Sequence, residues 1–297
     1  MAKKAFRSGY VGIIGRPNVG KSTLMNNLLH ERLSIVTEKP QTTRHRILGI
    51  LNNKNYQIIF LDTPGILQPK CKLQEVMIKT AYRVINDADL ILFMVEPFKE
   101  PGESELTIIN KLKGLKKEVL LIINKIDLIK KESLLPLIDE YSKLHKFLEI
   151  VPISALRGEG TDELLKIIIG LLPKGEPFYP LDYLTDKTHR FFASEIIREK
   201  IFEHYSEEIP YSTEVVIDEF KEREGKKDYI KAIIYVEKES QKRILIGEKG
   251  QALKRIGQLA RMDIESILGK EVYLELWVKD RKAWRESMKC LKEFGYV

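Results

Sequence analysis

Residues 15–22 read Gly15-Arg16-Pro17-Asn18-Val19-Gly20-Lys21-Ser22, directly after the run Tyr10-Val11-Gly12-Ile13-Ile14. The spacing G-x-x-x-x-G-K-[ST], set between a β-rich run and a helical pattern over 21–30, describes a loop whose backbone N–H groups wrap phosphates, aided by the dipole of the following helix. In such a loop Lys21 reaches the β- and γ-phosphates and the Ser22 hydroxyl binds Mg²⁺, with Thr23 beside it. A bare glycine turn before a helix is the alternative. The agreement of the spacing with the strand–loop–helix context argues against it.

Outward from this loop, YVGIIG, RILGIL, YQIIFLD, DLILFMVE and VLLIINK read as strands, several apolar at nearly every position, as strands buried on both faces are. Helical patterns follow at 21–30, 73–87, 103–113, 133–145 and 161–171. The alternation predicts a doubly wound, mostly parallel α/β sheet with its ligand loops at the carboxyl ends of the strands. The stretch 172–180 holds three prolines and a glycine, which end a helix and resist a new one. The expected organisation is a nucleotide-binding domain over 1–174, a linker over 175–182 and an α+β domain over 183–297. In the last, a helix (about 187–205), strands (about 213–221 and 229–237), a helix opening at 250, a strand (271–278) and a final helix (281–293) are expected.

Three further elements follow the phosphate loop in order. Asp62-Thr63-Pro64-Gly65 ends a strand, where Asp62 can hold the Mg²⁺ water shell and the Gly65 N–H can sense a γ-phosphate. Asn124-Lys125-Ile126-Asp127 follows VLLII; the Asp127 carboxylate accepts from N1–H and the 2-amino group of guanine, whereas adenine leaves it unpaired. Ser154-Ala155-Leu156 follows EIVPI, where the Ala155 N–H can donate to guanine O6. Singly these motifs are weak. In this order they make a guanine-nucleotide pocket from Gly15, Asn18, Val19, Gly20, Lys21, Ser22, Thr23, Asp62, Thr63, Gly65, Asn124, Lys125, Asp127, Ser154, Ala155 and Leu156.

These residues resemble the translation-factor-related small GTPases, which implies a Ras-like G domain with two switch segments. In the first, over 31–46, Thr42 or Thr43 completes the Mg²⁺ shell, with Thr43 preferred. The second runs from Asp62 to about Lys79, and such loops order with GTP and relax after hydrolysis. Lys21, Thr43 and Gly65 are the expected catalytic residues. Ile66 follows Gly65 where Ras has the glutamine that orients the attacking water, so slow intrinsic turnover that a partner accelerates is expected.

The chain carries a formal net charge of +7. Beyond residue 180 the 23 Lys and Arg are matched by 23 Asp and Glu, so the excess lies in the first domain. Within the balanced part, 242–261 is nonetheless a basic patch: Lys242, Arg243, Lys249, Lys254, Arg255 and Arg261 face one acid, Glu248. It surrounds Ile246-Gly247-Glu248-Lys249-Gly250, a G-x-x-G loop next to apolar residues and an amphipathic helical pattern. Glycines there let a sugar-phosphate backbone approach. The setting resembles a type II KH domain, which implies RNA contacts from Lys242, Arg243, Ile246, Gly247, Glu248, Lys249, Gly250, Lys254 and Arg255. A solvated charged helix face is the competing reading.

Taken together, G-R-P-N-V-G-K-S, P-Q-T-T-R-H-R, D-T-P-G-I, N-K-I-D, S-A-L and I-G-E-K-G resemble the Era-type bacterial GTPases over essentially the whole chain. The resemblance implies a GTP-hydrolysing switch with GTP/GDP and Mg²⁺ as cofactors. Its implied partners are single-stranded rRNA near the 3′ end of the small-subunit RNA and the small ribosomal subunit during assembly, with peripheral contact at the inner membrane and a monomeric state. Two alternatives stay open: a membrane-associated signalling GTPase, and a nucleotide-stabilised RNA scaffold with negligible turnover. Cys71 and Cys290 stand far apart with no metal-ligand spacing, and no stretch approaches the roughly 18 apolar residues of a membrane span, so a cytoplasmic protein with free thiols is expected.

Overall fold

Val11, Ile13 and Ile14 of β1 (Arg7–Gly15) are all fully buried, although neighbouring residues of a strand point to opposite faces. Such a strand needs packing on both sides. In the computed structural model, which describes residues 5–98 and 100–297, β1 lies inside a sheet ordered β2-β3-β1-β4-β5-β6. The other strands are β2 (Ile47–Asn53), β3 (Tyr56–Asp62), β4 (Leu90–Val95), β5 (Glu118–Ile123) and β6 (Glu149–Pro152). All pairings are parallel except the β2–β3 hairpin. Connecting helices are α1 (Lys21–Leu29), α2 (Lys72–Asp87), α3 (Glu103–Lys113), α4 (Leu134–Leu144) and α5 (Thr161–Leu171). Ile14, Ile91, Phe93, Val95, Leu121 and Ile123 pack with residues of α2, α3 and α4 on one face, while Ile13, Leu92, Met94, Leu120 and Ile122 are buried on the other. This is the doubly wound sheet that the apolar strands predict.

The chain forms two compact units. The first holds the chain through Lys70 and from Gln74 to Asp186; the second holds Cys71–Leu73 and Lys187–Val297. Residues 175–182, read from sequence as linker, pack on the first unit, where Ser8 Oγ donates to the Glu176 carbonyl at 2.7 Å.

The second unit runs α6 (His189–His204), α7 (Ile209–Ser212), β7 (Glu214–Lys221), β8 (Asp228–Val236), α8 (Glu239–Ile246), α9 (Gln251–Leu268), β9 (Val272–Asp280) and α10 (Met288–Glu293). β7 and β8 are antiparallel and β8 and β9 parallel, so the last connection must be a crossover, which α8 and α9 supply. Ile256, Ala260 and Ile264, four residues apart on α9, join Ile197 and Ile201 of α6 and Ile230, Ala232 and Ile234 of β8 in one core. The apolar stretch before G-x-x-G, assigned no element from the sequence, is a helix, α8, with Leu245 buried and Ile244 exposed. One expectation is corrected. The final helix begins at Met288 rather than 281, because Ala283 takes a left-handed conformation (φ 50°) and buried Trp284 donates from Nε1 to the Ser212 carbonyl at 2.8 Å.

Candidate nucleotide and nucleic-acid sites

The phosphate loop joins the carboxyl end of β1 to α1 and leaves no room for side chains at its glycines. A Cβ on Gly20 (φ 98°) would lie 2.2 Å from Asn124 Nδ2, and one on Gly15 would lie 2.4 Å from the Met94 carbonyl. Gly65 is equally constrained, since its Cβ would fall 2.4 Å from Pro17 N. The Ile66 N–H donates to the Gly15 carbonyl at 3.0 Å, so the D-T-P-G segment is held against the phosphate loop. Around them opens a cleft of about 490 Å³, lined among others by Asn18, Gly20, Lys21, Ser22, Thr23, Thr43, Gly65, Asn124, Lys125, Asp127, Ser154 and Leu156.

At its phosphate end, Ser22 Oγ donates to Asp62 Oδ2 at 2.6 Å and lies 2.9 Å from Thr43 Oγ1. Ser34 Oγ also donates to Asp62 Oδ2, at 3.0 Å. The other carboxylate oxygen, Asp62 Oδ1, is buried with no hydrogen-bond partner. Burial pushes the Asp62 carboxyl up, against Lys21 and the bonds from Ser22 and Ser34 that pull it down. Hard oxygen donors with one carboxylate oxygen unspent fit Mg²⁺, which takes few protein ligands and fills its octahedron with water and phosphate oxygens. Of the two threonines, Thr43 brings its hydroxyl to this cluster, whereas the Thr42 hydroxyl donates to the Lys39 carbonyl at 3.2 Å. Lys21 Nζ donates to the Arg16 carbonyl at 2.8 Å, and burial brings this lysine down to about 8, opposed by Asp62 and Glu96.

At the base end, the Asp127 carboxylate is largely buried, with Arg157 Nε 3.6 Å away. Exposed Leu128 and Leu156 flank it on the cleft wall. Several expected contacts are redirected. Asn124 ties loops together: its Nδ2 donates to the Val19 carbonyl at 2.7 Å and its Oδ1 accepts from the Ala155 N–H at 2.9 Å. The Ala155 N–H is thus already engaged and would serve a base oxygen only as a shared donor. The Val19 side chain lies in the core, and the hydroxyl of fully buried Thr63 donates to the Ile13 carbonyl at 2.8 Å.

Ile66 is buried among Ile14, Ala81, Ile85 and Phe93. The position of the Ras glutamine thus belongs to the core. Two acids escaped sequence reasoning. Glu96 pairs with Lys125, and buried Glu105 of α3 holds Arg16 of the phosphate loop at 2.8 Å. No motif spacing reveals either, because each partner is contributed by a distant segment.

In the second unit, Gly247 (φ 72°) leaves no room for a Cβ, which would lie 2.6 Å from Ala252 Cβ, and Gly250 (φ 78°) opens α9. Between α9 and β9 runs a groove of about 340 Å³. Gly250, Leu253, Lys254, Gly257, Gln258 and Arg261 line its helix side at i, i+3, i+4, i+7 spacing, and Leu274 and Leu276 form its floor. Of the expected RNA-contact residues, Lys254 and Gly250 line this groove. Arg255, one residue off that face, does not line the groove; Ile246 packs against the core; Lys242 lies 3.6 Å from Glu239 on α8. Arg261 entered from sequence only as part of the basic patch, and Leu253, Gln258, Leu274 and Leu276 went unrecognised, though the helical spacing from Gly250 marks the first two.

The family described as 50S ribosome-binding GTPase matches residues 10–125, and the KH domain family matches 208–285. GTPase Era of Geotalea uraniireducens is 50% identical over 296 residues, 100% of each chain. GTPase Era of Syntrophus aciditrophicus is 51% identical over 292 residues, covering 98% of this chain and 95% of its own. A crystal structure of Era with MgGDPNP and nucleotides 1506–1542 of 16S ribosomal RNA superposes with a TM-score of 0.95 at 47% identity, over 98% of this chain and 99% of that one. A variant of Aquifex aeolicus Era bound to GDP·AlF₄⁻ gives a TM-score of 0.95 at 46% identity, over 98% of this chain and 100% of that one.

Proposed function

The chain belongs to the Era family of GTPases, and on that premise we propose that GTP in the first unit's cleft sets how tightly the second unit's groove holds single-stranded RNA. It is a GTP-hydrolysing enzyme that uses Mg²⁺. The RNA is the 3′ end of small-subunit ribosomal RNA, and the setting is assembly of the small ribosomal subunit. The observation that carries this reading is the occurrence in one chain of the Ser22–Thr43–Asp62 cluster beside Lys21 and of an apolar groove rimmed by Lys254 and Arg261 at a G-x-x-G loop. The relative solved with both MgGDPNP and a 16S fragment supports it.

In this reading Lys21 and the loop amides bind and orient the β- and γ-phosphates, and bound Mg²⁺ supplies neutralisation of the charge that develops on them. Ser22, Thr43 and Asp62 hold the metal, and the Gly65 N–H meets the γ-phosphate. After hydrolysis Thr43 and Gly65 lose their partner and the two switch segments relax. With Ile66 in the core, no side chain at that position orients water, so intrinsic turnover is slow. Asp127 selects guanine. In the groove, bases lie on Leu253, Leu274 and Leu276 while Lys254, Arg261 and Lys249 meet phosphates.

The proposal extends to a cytoplasmic monomer with peripheral contact at the inner membrane, the last point resting on family resemblance. Among the described residues no helix is long and apolar enough to cross a membrane. Titrating a 3′-terminal 16S oligonucleotide against the full chain with GDP and with GDPNP tests the coupling. Tighter binding with GDPNP is expected, and equal affinity removes it.

A further inference from the structure

Gln57, in β3, is fully buried, and its carboxamide uses its whole hydrogen-bonding capacity. Oε1 accepts from the N–H groups of Phe178 at 2.7 Å and Tyr179 at 3.0 Å. Nε2 donates to the Tyr179 carbonyl at 2.8 Å and to Asn52 Oδ1 at 2.7 Å. Three of these four bonds thus go to the strap of chain 175–186. From there the strap returns along the outer edge of β2, antiparallel to it. Asn52 Nδ2 donates to the Tyr183 carbonyl at 2.8 Å, Ile50 N to the Leu184 carbonyl at 2.8 Å and Thr185 Oγ1 to the Leu48 carbonyl at 2.6 Å. Asp186 then lies 3.7 Å from Arg46.

The β2–β3 hairpin so covered has an unusual position in the chain. Arg46, just before β2, is three residues from Thr43, and β3 ends at Asp62. The open end of this two-stranded ribbon, where Ile47 is in register with Asp62, therefore meets the metal cluster through both of its strands, and its turn end carries Asn52 and Gln57. An antiparallel ladder does not yield piecemeal, since a change of register moves every residue of the strand. A rearrangement of Thr43 and Asp62 around a γ-phosphate would act on the open end of the ribbon, and a shift of the ribbon as a unit would reach the strap. Neutral hydrogen bonds of the kind Gln57 makes are individually weak enough to break and reform. The strap runs directly into Lys187, where the second unit resumes.

We propose that the strap 175–186 is a nucleotide-sensitive latch: Gln57 and Asn52 hold it on the hairpin in one nucleotide state and loosen it in the other, passing that state along the chain to the second unit. Covering the exposed edge of β2 explains the backbone contacts. It does not explain a buried glutamine spent on Phe178 and Tyr179. The consequence for RNA affinity rests on the function proposed above, whereas the latch itself does not.

The test uses the full chain in two measurements. Hydrogen exchange of the Phe178 and Tyr179 amides is compared with GDP and with GDPNP, and the affinity for a 3′-terminal 16S oligonucleotide is measured in both states for wild type, Gln57→Leu and Asn52→Ala. A latch makes exchange of the two amides differ by about tenfold or more between states in wild type. Both variants abolish that difference and bring the RNA affinity ratio towards one, with GTP hydrolysis within about twofold of wild type. Equal exchange in the two states overturns the latch without reference to any variant. So does a wild-type RNA affinity ratio above one that both variants retain. State-dependent exchange with a wild-type RNA ratio of one keeps the latch and removes the RNA coupling instead. If Gln57→Leu fails to fold, Asn52→Ala, which removes two side-chain bonds at the solvent edge, decides.

Discussion

Thr43 Oγ1 and Ser22 Oγ lie 2.9 Å apart across 21 residues of chain, and Ser22 Oγ donates in turn to Asp62 Oδ2. The first switch segment, the phosphate loop and the end of β3 thereby meet at one point, where a metal can hold all three. Thr43→Ala is expected to raise the Mg²⁺ concentration needed for half-maximal GTP hydrolysis by roughly 10–100-fold. Thr42→Ala, whose hydroxyl turns to the Lys39 carbonyl, is expected to change it little. Magnesium titrations of the two variants check the assignment, and the reverse order of effects transfers the role to Thr42.

Lys21 gives the site a pH dependence. In the nucleotide-free protein burial lowers it to about 8 from 10.5. Bound phosphates keep it charged. Below pH 8 the lysine is already protonated and GTP affinity is flat; above it binding must take up a proton, and affinity falls by up to about tenfold per pH unit. The stability of the nucleotide-free fold runs the other way. Between 8 and 10.5 the unfolded chain holds more protons than the folded one, so stability rises with pH across that window. Calorimetric titrations in buffers of different ionisation enthalpy read the proton uptake. A flat affinity up to pH about 9.5 contradicts the shift.

The burial of Ile66 makes a simple repair of catalysis fail. Ile66→Gln introduces an amide into an apolar cluster and is expected to cost about 1–3 kcal/mol of stability. It is not expected to raise intrinsic hydrolysis. Faster hydrolysis in this variant, at unchanged thermal stability, means that residue 66 can reach the γ-phosphate.

On the proposed reading the Asp127 carboxylate accepts two hydrogen bonds from guanine, at about 1.5–3 kcal/mol each, and Asp127→Asn removes that charge. GTP affinity is expected to fall by roughly two to four orders of magnitude. The gaps between GTP, ITP and ATP narrow with it. Competition binding of the three nucleotides checks this, and unchanged ranking and spacing remove Asp127 from base selection.

The sheet and the phosphate loop are legible in the sequence because both are local. Strands buried on two faces show as continuous apolar runs, and Gly15 to Ser22 carry their geometry in their spacing. The helix α8 is not. Ile244-Leu245-Ile246 is too short a run to reveal its period, so it reads equally as a strand. The break before α10 depends on Trp284 finding Ser212, 72 residues away. The same holds within the sites: Asn124 has an obvious motif, yet its work as a tie between Val19 and Ala155 exists only once three loops converge. Gln57 carries no motif at all.

On the proposed reading one chain holds a GTP site and a separate RNA site at the G-x-x-G loop. Replacing Glu248 and Lys249 together by Asp adds negative charge where the RNA backbone is expected to pass. It spares Gly247 and Gly250, and Asp tolerates the left-handed conformation of residue 249 (φ 47°). Affinity for a 3′-terminal 16S oligonucleotide and GTP hydrolysis are then measured on one preparation across a salt series. The expected result is weaker RNA binding with a shallower salt dependence, because fewer counterions are displaced, beside hydrolysis near the wild-type rate. RNA binding that survives the replacement with its salt dependence intact contradicts the account: G-x-x-G is then a plain turn, and the RNA binds elsewhere.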